Sequence, residues 1–187
     1  RCRSVSLSLL GRAEVIPSRR PGNNVGNQLS PMHSPRPYRP CVGMMLVNTD
    51  GKVFVGQRLD STVEAWQMPQ GGIDDGEDPR DTALRELGEE TGIAPELVKI
   101  IAQSKEDHYY DLPDDLIGKI WGGRFRGQRQ IWFLMRFLGA DADVNIYTAH
   151  QEFRDWRWIN PEQLPEMIVP FKKKLYRDLL KEFVDLI

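Results

Sequence analysis

The stretch from Gly71 to Ile93 constrains this 187-residue chain more than any other. It places Glu86, Glu89 and Glu90 at helical spacing i, i+3, i+4, so three carboxylates share one face. They fall in the last turn, where the helix dipole is negative and acids are disfavoured. No comparable cluster of bases lies nearby in sequence. A helix selected for stability alone would avoid this arrangement, whereas one that holds a hard cation requires it. The flanking residues agree. Asp78 suits the N-cap, Pro79 the first helical position and Gly92 a left-handed stop. Ala83, Leu84 and Leu87 form an apolar stripe, which predicts that the carboxylate face lies roughly opposite the core. Gly71, Gly72 and Gly76 precede the helix and let the backbone approach a ligand closely.

The chemistry follows from the residue types. Carboxylate-bound divalent ions neutralise phosphate charge, lower the pKa of a bound water and orient its attack. All-oxygen ligation favours Mg²⁺, with Mn²⁺ as the alternative, over zinc. Two cysteines and three histidines, widely scattered, offer no softer cluster. One carboxylate could act as base on the attacking water, and the spacing does not say which.

At these residues the chain resembles a known family. The pattern G-x5-E-x7-R-E-U-x-E-E-x-G-U, with U a bulky aliphatic, is the Nudix hydrolase signature. It is matched in full by Gly71, Glu77, Arg85, Glu86, Leu87, Glu89, Glu90, Gly92 and Ile93. The resemblance implies an α/β/α sandwich with a mixed sheet, and hydrolysis of a nucleoside diphosphate linked to another group. It makes Glu86, Glu89 and Glu90 the metal ligands and pairs Arg85 with Glu77.

Further segments narrow the resemblance. Tyr38–Gly43, Trp66–Gly72, Gly127–Phe133, Glu152–Trp158 and Val169–Lys172 together look like the RNA pyrophosphohydrolase and diadenosine polyphosphate hydrolase branch, from about Tyr38 to the C-terminus. By this similarity Glu152 adds a carboxylate near the metal. Arg39, Arg58, Arg129 and Lys172 line the phosphate and nucleotide site, and Phe171 stacks on a base. Pro170 and Ile131 depart from the residues expected there, which bears on substrate preference rather than on the reaction. Each assignment has a plain alternative: surface charge for the four bases, a solvated strand-edge acid for Glu152, core packing for Phe171. The expected activity is removal of pyrophosphate from the 5′-triphosphate end of RNA, with diadenosine tetraphosphate hydrolysis second. A non-catalytic binding module would be marked by loss of a box glutamate, and none is lost.

Composition bounds the rest. A net charge of −2 gives no bulk attraction to DNA or membrane, so any RNA contact must be local. Cys2 and Cys41 form no disulfide framework, which fits a reducing compartment. A monomer or small homo-oligomer in a bacterial cytoplasm is expected, with a plastid or mitochondrion as the alternative. Residues 1–37 carry six arginines, five prolines and the single acid Glu14, a composition that cannot build a core. They read as a disordered leader, a transit-like segment or, preferentially, an over-extended gene model with translation starting at Met32.

From Tyr38 to Ile187 the pattern is that of one layered α/β domain. Strands are expected at Cys41–Val47 and Val53–Gln57, joined by a hairpin at Asn48–Gly51, and again at Leu97–Gln103, Asp107–Asp111, Arg129–Phe137 and Phe153–Ile159. Phe171, Leu175, Leu179 and Phe183 recur every four residues and predict an amphipathic terminal helix.

Overall fold

The computed structural model describes residues 36–60 and 64–187, so the leader expected over residues 1–37 lies almost wholly outside them. Among the described residues eight strands form one sheet. They are β1 (Tyr38–Val47), β2 (Val53–Arg58), β3 (Trp66–Gln67), β4 (Gln70–Gly72), β5 (Val98–Gln103), β6 (His108–Asp111), β7 (Gly127–Phe137) and β8 (Phe153–Ile159). The helices are α1 (Pro79–Thr91), the short α2 (Leu164–Met167) and α3 (Lys173–Phe183). The sheet order β3-β2-β1-β7-β5 is extended by β4 on β1, β6 on β7 and β8 on β2. β1 and β7 run parallel over their full registered length, from Tyr38 beside Gly127 to Val47 beside Arg136; the other pairings are antiparallel. The expected mixed sheet is therefore present.

Both faces of the sheet are covered, which is why β1 reads as the unbroken run Cys41–Val47 rather than as an alternation. On one face Val42, Met44, Leu46, Phe54, Phe133 and Met135 pack with Ala83 and Leu87 of α1. On the other, Met45, Val55, Trp132 and Leu134 pack with Leu175, Tyr176, Leu179 and Phe183 of α3. The two helices thus sandwich the sheet, and the four-residue recurrence read in α3 is its buried stripe.

The ends of α1 form as expected. The Asp78 side chain accepts from the Arg80 backbone N–H at 2.8 Å, and Gly92 adopts the left-handed conformation at φ 68°. In the β1–β2 hairpin, Asn48 Oδ1 accepts from the backbone N–H groups of Asp50 and Lys52, both at 3.0 Å. β8 has the bounds read from sequence, and β2 and β7 are longer by one and two residues. β3 and β4 are additions, since residues 66–72 were expected only to lead into the helix. Two- and three-residue strands carry no period of their own; their pairing with β2 and β1 creates them. β4 matters most, because it lays Gly71 and Gly72 alongside α1.

Candidate active site

The site is assembled where β4 meets α1. At Gly71 an added Cβ would lie 1.9 Å from Cδ of Glu86, and at Gly72 one would lie 2.3 Å from a terminal nitrogen of Arg39. The two glycines therefore admit an acid from α1 on one face of the strand and a base from β1 on the other. No side chain could replace the hydrogen at either position without displacing those groups.

Arg85 organises the loop before the helix. Its Nε and Nη2 donate to the two carboxylate oxygens of Glu77 at 2.7 and 2.9 Å, a bidentate pair, and Nη2 also reaches the Gly72 carbonyl at 3.3 Å. Nη1 donates to Glu86 at 2.9 Å and lies 3.5 Å from Glu89. The Arg85 hydrogen bonds hold the Glu77 carboxyl down to about 2. The Arg85–Glu77 pairing expected from the resemblance is thus present in the geometry. No cluster of bases was expected to offset the acids, and one arginine of the same helix does part of that work: Arg85 contacts both Glu86 and Glu89. Arg58 serves a third acid. Its Nη1 donates to Glu152 at 2.9 Å while its other two nitrogens grip Asp60 at 2.7 and 2.8 Å.

A correction concerns the acid face. Glu90 does not lie opposite the core; it is 2% exposed. Ala83, Leu87 and Glu90 stand at i, i+4, i+7, so the last acid continues the buried stripe. Its Oε2 accepts from the Gln70 backbone N–H at 3.3 Å, and its Oε1 is buried without a hydrogen-bond partner. Burial raises the Glu90 carboxyl well above the usual range, reinforced by the negative charges of Glu152 and Glu86. Burial likewise raises Glu86.

These observations bear on whether a hard divalent cation fits. The donors are all carboxylate oxygens, one of them is orphaned in the interior, and Glu152 and Glu86 face it closely enough to perturb its ionisation. Among the described residues, no three acidic, histidine or cysteine side chains converge as a ready-made ion site. Arg85 and Arg58 instead hold Glu86, Glu89 and Glu152 by their carboxylates. The chemistry fits a cation that competes with the two guanidinium groups for these oxygens.

The expected substrate-binding residues divide between the two faces of the sheet. Arg39 lies over the Trp121 ring at 5.6 Å. Lys172 is buried, donates from Nζ to Gln70 Oε1 at 3.1 Å and sits 4.9 Å from the Tyr110 ring centroid. Burial, with the Arg58 charge, lowers the Lys172 ammonium to about 7. Phe171 is half-buried, its ring 5.6 Å from that of Tyr110, so it packs on the core without being sealed by it. Arg129 does not join this group. On β7, Gln128, Gln130 and Trp132 point towards α3, whereas Arg129 shares the opposite parity with Ile131 and Phe133, on the α1 side. Arg129 is largely exposed, 3.5 Å from Asp107. Sequence reasoning missed Gln70 and Tyr110, which contact Lys172; a glutamine beside two glycines and a tyrosine in a short strand gave no signal of that role. A cavity of about 430 Å³ on the outer side of α1 is lined by Leu84, Arg85, Gly88, Glu89 and Pro95, but reaches neither Glu90 nor Lys172.

The perturbed acids fix a pH response in chelator-treated protein. A carboxyl whose folded pKa is raised adds stability that is complete below its unfolded value and is lost as pH rises through the folded one. Glu77, lowered to about 2, acts oppositely: its contribution is present above the ordinary value of 4.5 and disappears as pH falls towards 2. Lys172 contributes its pH dependence above about 7. The melting temperature of the chelated protein should therefore rise as pH is lowered from about 7 to about 5, then fall in stronger acid. A flat or falling melting temperature in the first interval would contradict the burial of Glu90.

An acid-bearing helix interlocked with a glycine strand at the edge of a sandwiched sheet is a frame on which carboxylates can present a divalent ion to a phosphoric anhydride. The chain belongs to the Nudix hydrolase family: the NUDIX domain matches residues 37–179. Hydrolases of this family cleave pyrophosphate bonds and in general need divalent metal ions. A protein of Sphingopyxis alaskensis named RNA pyrophosphohydrolase is 64% identical over 155 residues, covering 83% of this chain and 98% of its own. One of the same name from Roseobacter denitrificans is 60% identical over 147 residues, covering 79% of this chain and 92% of its own. The fold is shared with the Escherichia coli dihydroneopterin triphosphate pyrophosphohydrolase, at TM-score 0.61 and 16% identity, covering 79% of this chain and 99% of that one.

Proposed function

We propose that the protein hydrolyses the 5′-triphosphate end of RNA, releasing pyrophosphate and leaving a 5′-monophosphate. The reading is carried by the 64% identity, across 98% of its length, to a relative named for that activity. The buried cation and half-buried aromatic at the start of α3 support it. Glu86, Glu89, Glu90 and Glu152 would hold Mg²⁺, or Mn²⁺ in its place. Such an ion, when bound, neutralises phosphate charge and makes a bound water more acidic. Lys172 and Arg39 then receive the phosphates, Phe171 offers its open face to a base, and Arg58 steadies Glu152 and reaches towards the phosphates. This footprint takes hold of an end and leaves the body of the strand unread, which suits a chain of low net charge. Among the described residues no helix is long and apolar enough to cross a membrane. With bacterial relatives, the cytoplasm is the compartment proposed.

Release of pyrophosphate from triphosphorylated RNA should be compared with cleavage of diadenosine tetraphosphate on one enzyme preparation. The RNA end should have the larger kcat/KM, and a dinucleotide preferred by orders of magnitude would reverse the assignment. On the RNA substrate, Lys172→Met should raise KM by roughly tenfold or more, since a hydrogen bond to a charged group is lost. Arg129→Ala should raise it less, because Arg129 is largely exposed, lies 3.5 Å from Asp107 and stands across the sheet from Lys172. The reverse order would return Arg129 to the phosphate site and remove Lys172.

A further inference from the structure

Beneath Lys172 runs a chain of polar side chains, buried except for the half-buried Gln70, whose direction is set at one end. The Trp132 indole N–H can only donate, and it does so to Gln130 Oε1 at 3.0 Å. The Gln130 amide is thereby turned so that Nε2 faces its other neighbours. It donates to Gln128 Oε1 at 2.8 Å and to Gln70 Oε1 at 3.0 Å. The Tyr110 hydroxyl donates to Gln128 Oε1 at 2.7 Å. Gln70 is left with its carbonyl oxygen towards Lys172, whose Nζ it accepts at 3.1 Å. An ammonium has donors only, so a reversed Gln70 amide would confront it with two further N–H groups. Trp132 and Gln130 are 0% exposed and Lys172 is 5% exposed, whereas Gln70 is only half-buried, so the direction of the chain is set from its buried end rather than at Gln70 itself.

We infer that Gln130 is a positioning residue for the phosphate-binding lysine: oriented by the Trp132 indole, it fixes the Gln70 carbonyl oxygen that holds the Lys172 ammonium in place. Strand parity explains how the device is built. Gln128, Gln130 and Trp132 project from alternate positions of β7 into the α3 face, where a fully buried strand would otherwise carry apolar side chains. Two glutamines in that register are costly unless they are hydrogen-bonded, and here Gln130 both accepts and donates while Gln128 Oε1 accepts from two donors.

The inference rests on Lys172 acting on the substrate, and a double-mutant cycle separates the two claims. Gln130→Met keeps the approximate volume and removes the relay. Gln130→Glu keeps an acceptor for Trp132 but removes the donor to Gln70. Each should raise KM for a triphosphorylated oligoribonucleotide by roughly tenfold, with kcat changed much less. In a Lys172→Met background the same substitutions should cost less than about twofold, since the group they position is gone. A purely structural role would instead give independent losses that multiply in the double variant, and that result would overturn the inference. So would an unchanged KM in both single variants of Gln130. Should Gln130→Met fail to fold, Gln130→Glu carries the same cycle. An unchanged KM in Lys172→Met would defeat the role of the lysine and the relay together. A preference of the wild type for diadenosine tetraphosphate would defeat the substrate assignment alone, and the cycle would then be read on that dinucleotide.

Discussion

Glu90→Gln is expected to lower turnover on triphosphorylated RNA at least about a hundredfold, while leaving the metal-free protein as stable or more stable. The two effects have one cause. Glu90 is 2% exposed, and one of its carboxylate oxygens has no hydrogen-bond partner. An ionised acid in that position is an electrostatic burden to the fold unless a cation neutralises it. The neutral amide removes the burden and, with it, a ligand. Steady-state turnover with Mg²⁺, together with thermal melts in a chelator, measures both effects. The pH-dependent rise in melting temperature described above should also shrink in this variant, since Glu90 is its main source. Turnover within about tenfold of wild type would take Glu90 out of the metal site. Glu89→Gln provides the contrast. Its side chain is 37% exposed and 3.5 Å from Arg85, so turnover should fall by a comparable factor with no gain in metal-free stability.

Gly71→Ala is expected to produce the second large loss, although the glycine carries no chemistry. The added methyl would stand 1.9 Å from the Glu86 carboxyl carbon and 2.2 Å from one of its oxygens. Either β4 shifts off β1 or the Glu86 side chain swings away. A displacement of about 1 Å at a reacting centre costs on the order of a hundredfold in rate, and overpacking of this kind costs about 1–3 kcal/mol of stability. Turnover should therefore drop by roughly one to two orders of magnitude, with a modest fall in melting temperature. The metal dependence gives a specific readout: the Mg²⁺ concentration needed for half-maximal activity should rise, because the misplaced group is a proposed ligand. An alanine variant with wild-type activity and metal requirement would show that the strand and the helix are not interlocked here.

Much of the fold was legible because it is local. The capped helix from Pro79 to Thr91, the hairpin at Asn48–Gly51 and the strand Phe153–Ile159 follow from side-chain chemistry within a few residues. What escaped depends on partners far along the chain. Strands β3 and β4 exist because residues 66–72 pair with β2 and β1. The α1 period reads from Ala83, Leu84 and Leu87 and sets the carboxylate face roughly opposite that stripe, whereas Glu90, at i+7 from Ala83, continues it into the interior. Lys172, Lys173 and Lys174 look alike in sequence, yet the first is buried against Tyr110 and Gln70 while the third is 87% exposed. Arg129 and Lys172 were grouped by resemblance, and the parity of β7 puts Arg129 on the α1 side of the sheet and the lysine on the α3 side.

By itself, then, the order of residues determined the reaction class and the helix that serves it, because ligand type, spacing and helix caps are properties of a short segment. Tertiary structure alone decided which glutamate is withdrawn from water, which arginines hold the others and which lysine lies beneath the site. Desolvation and ion pairing depend on what surface comes to lie against a side chain, and that surface is supplied by strands and helices distant in the chain.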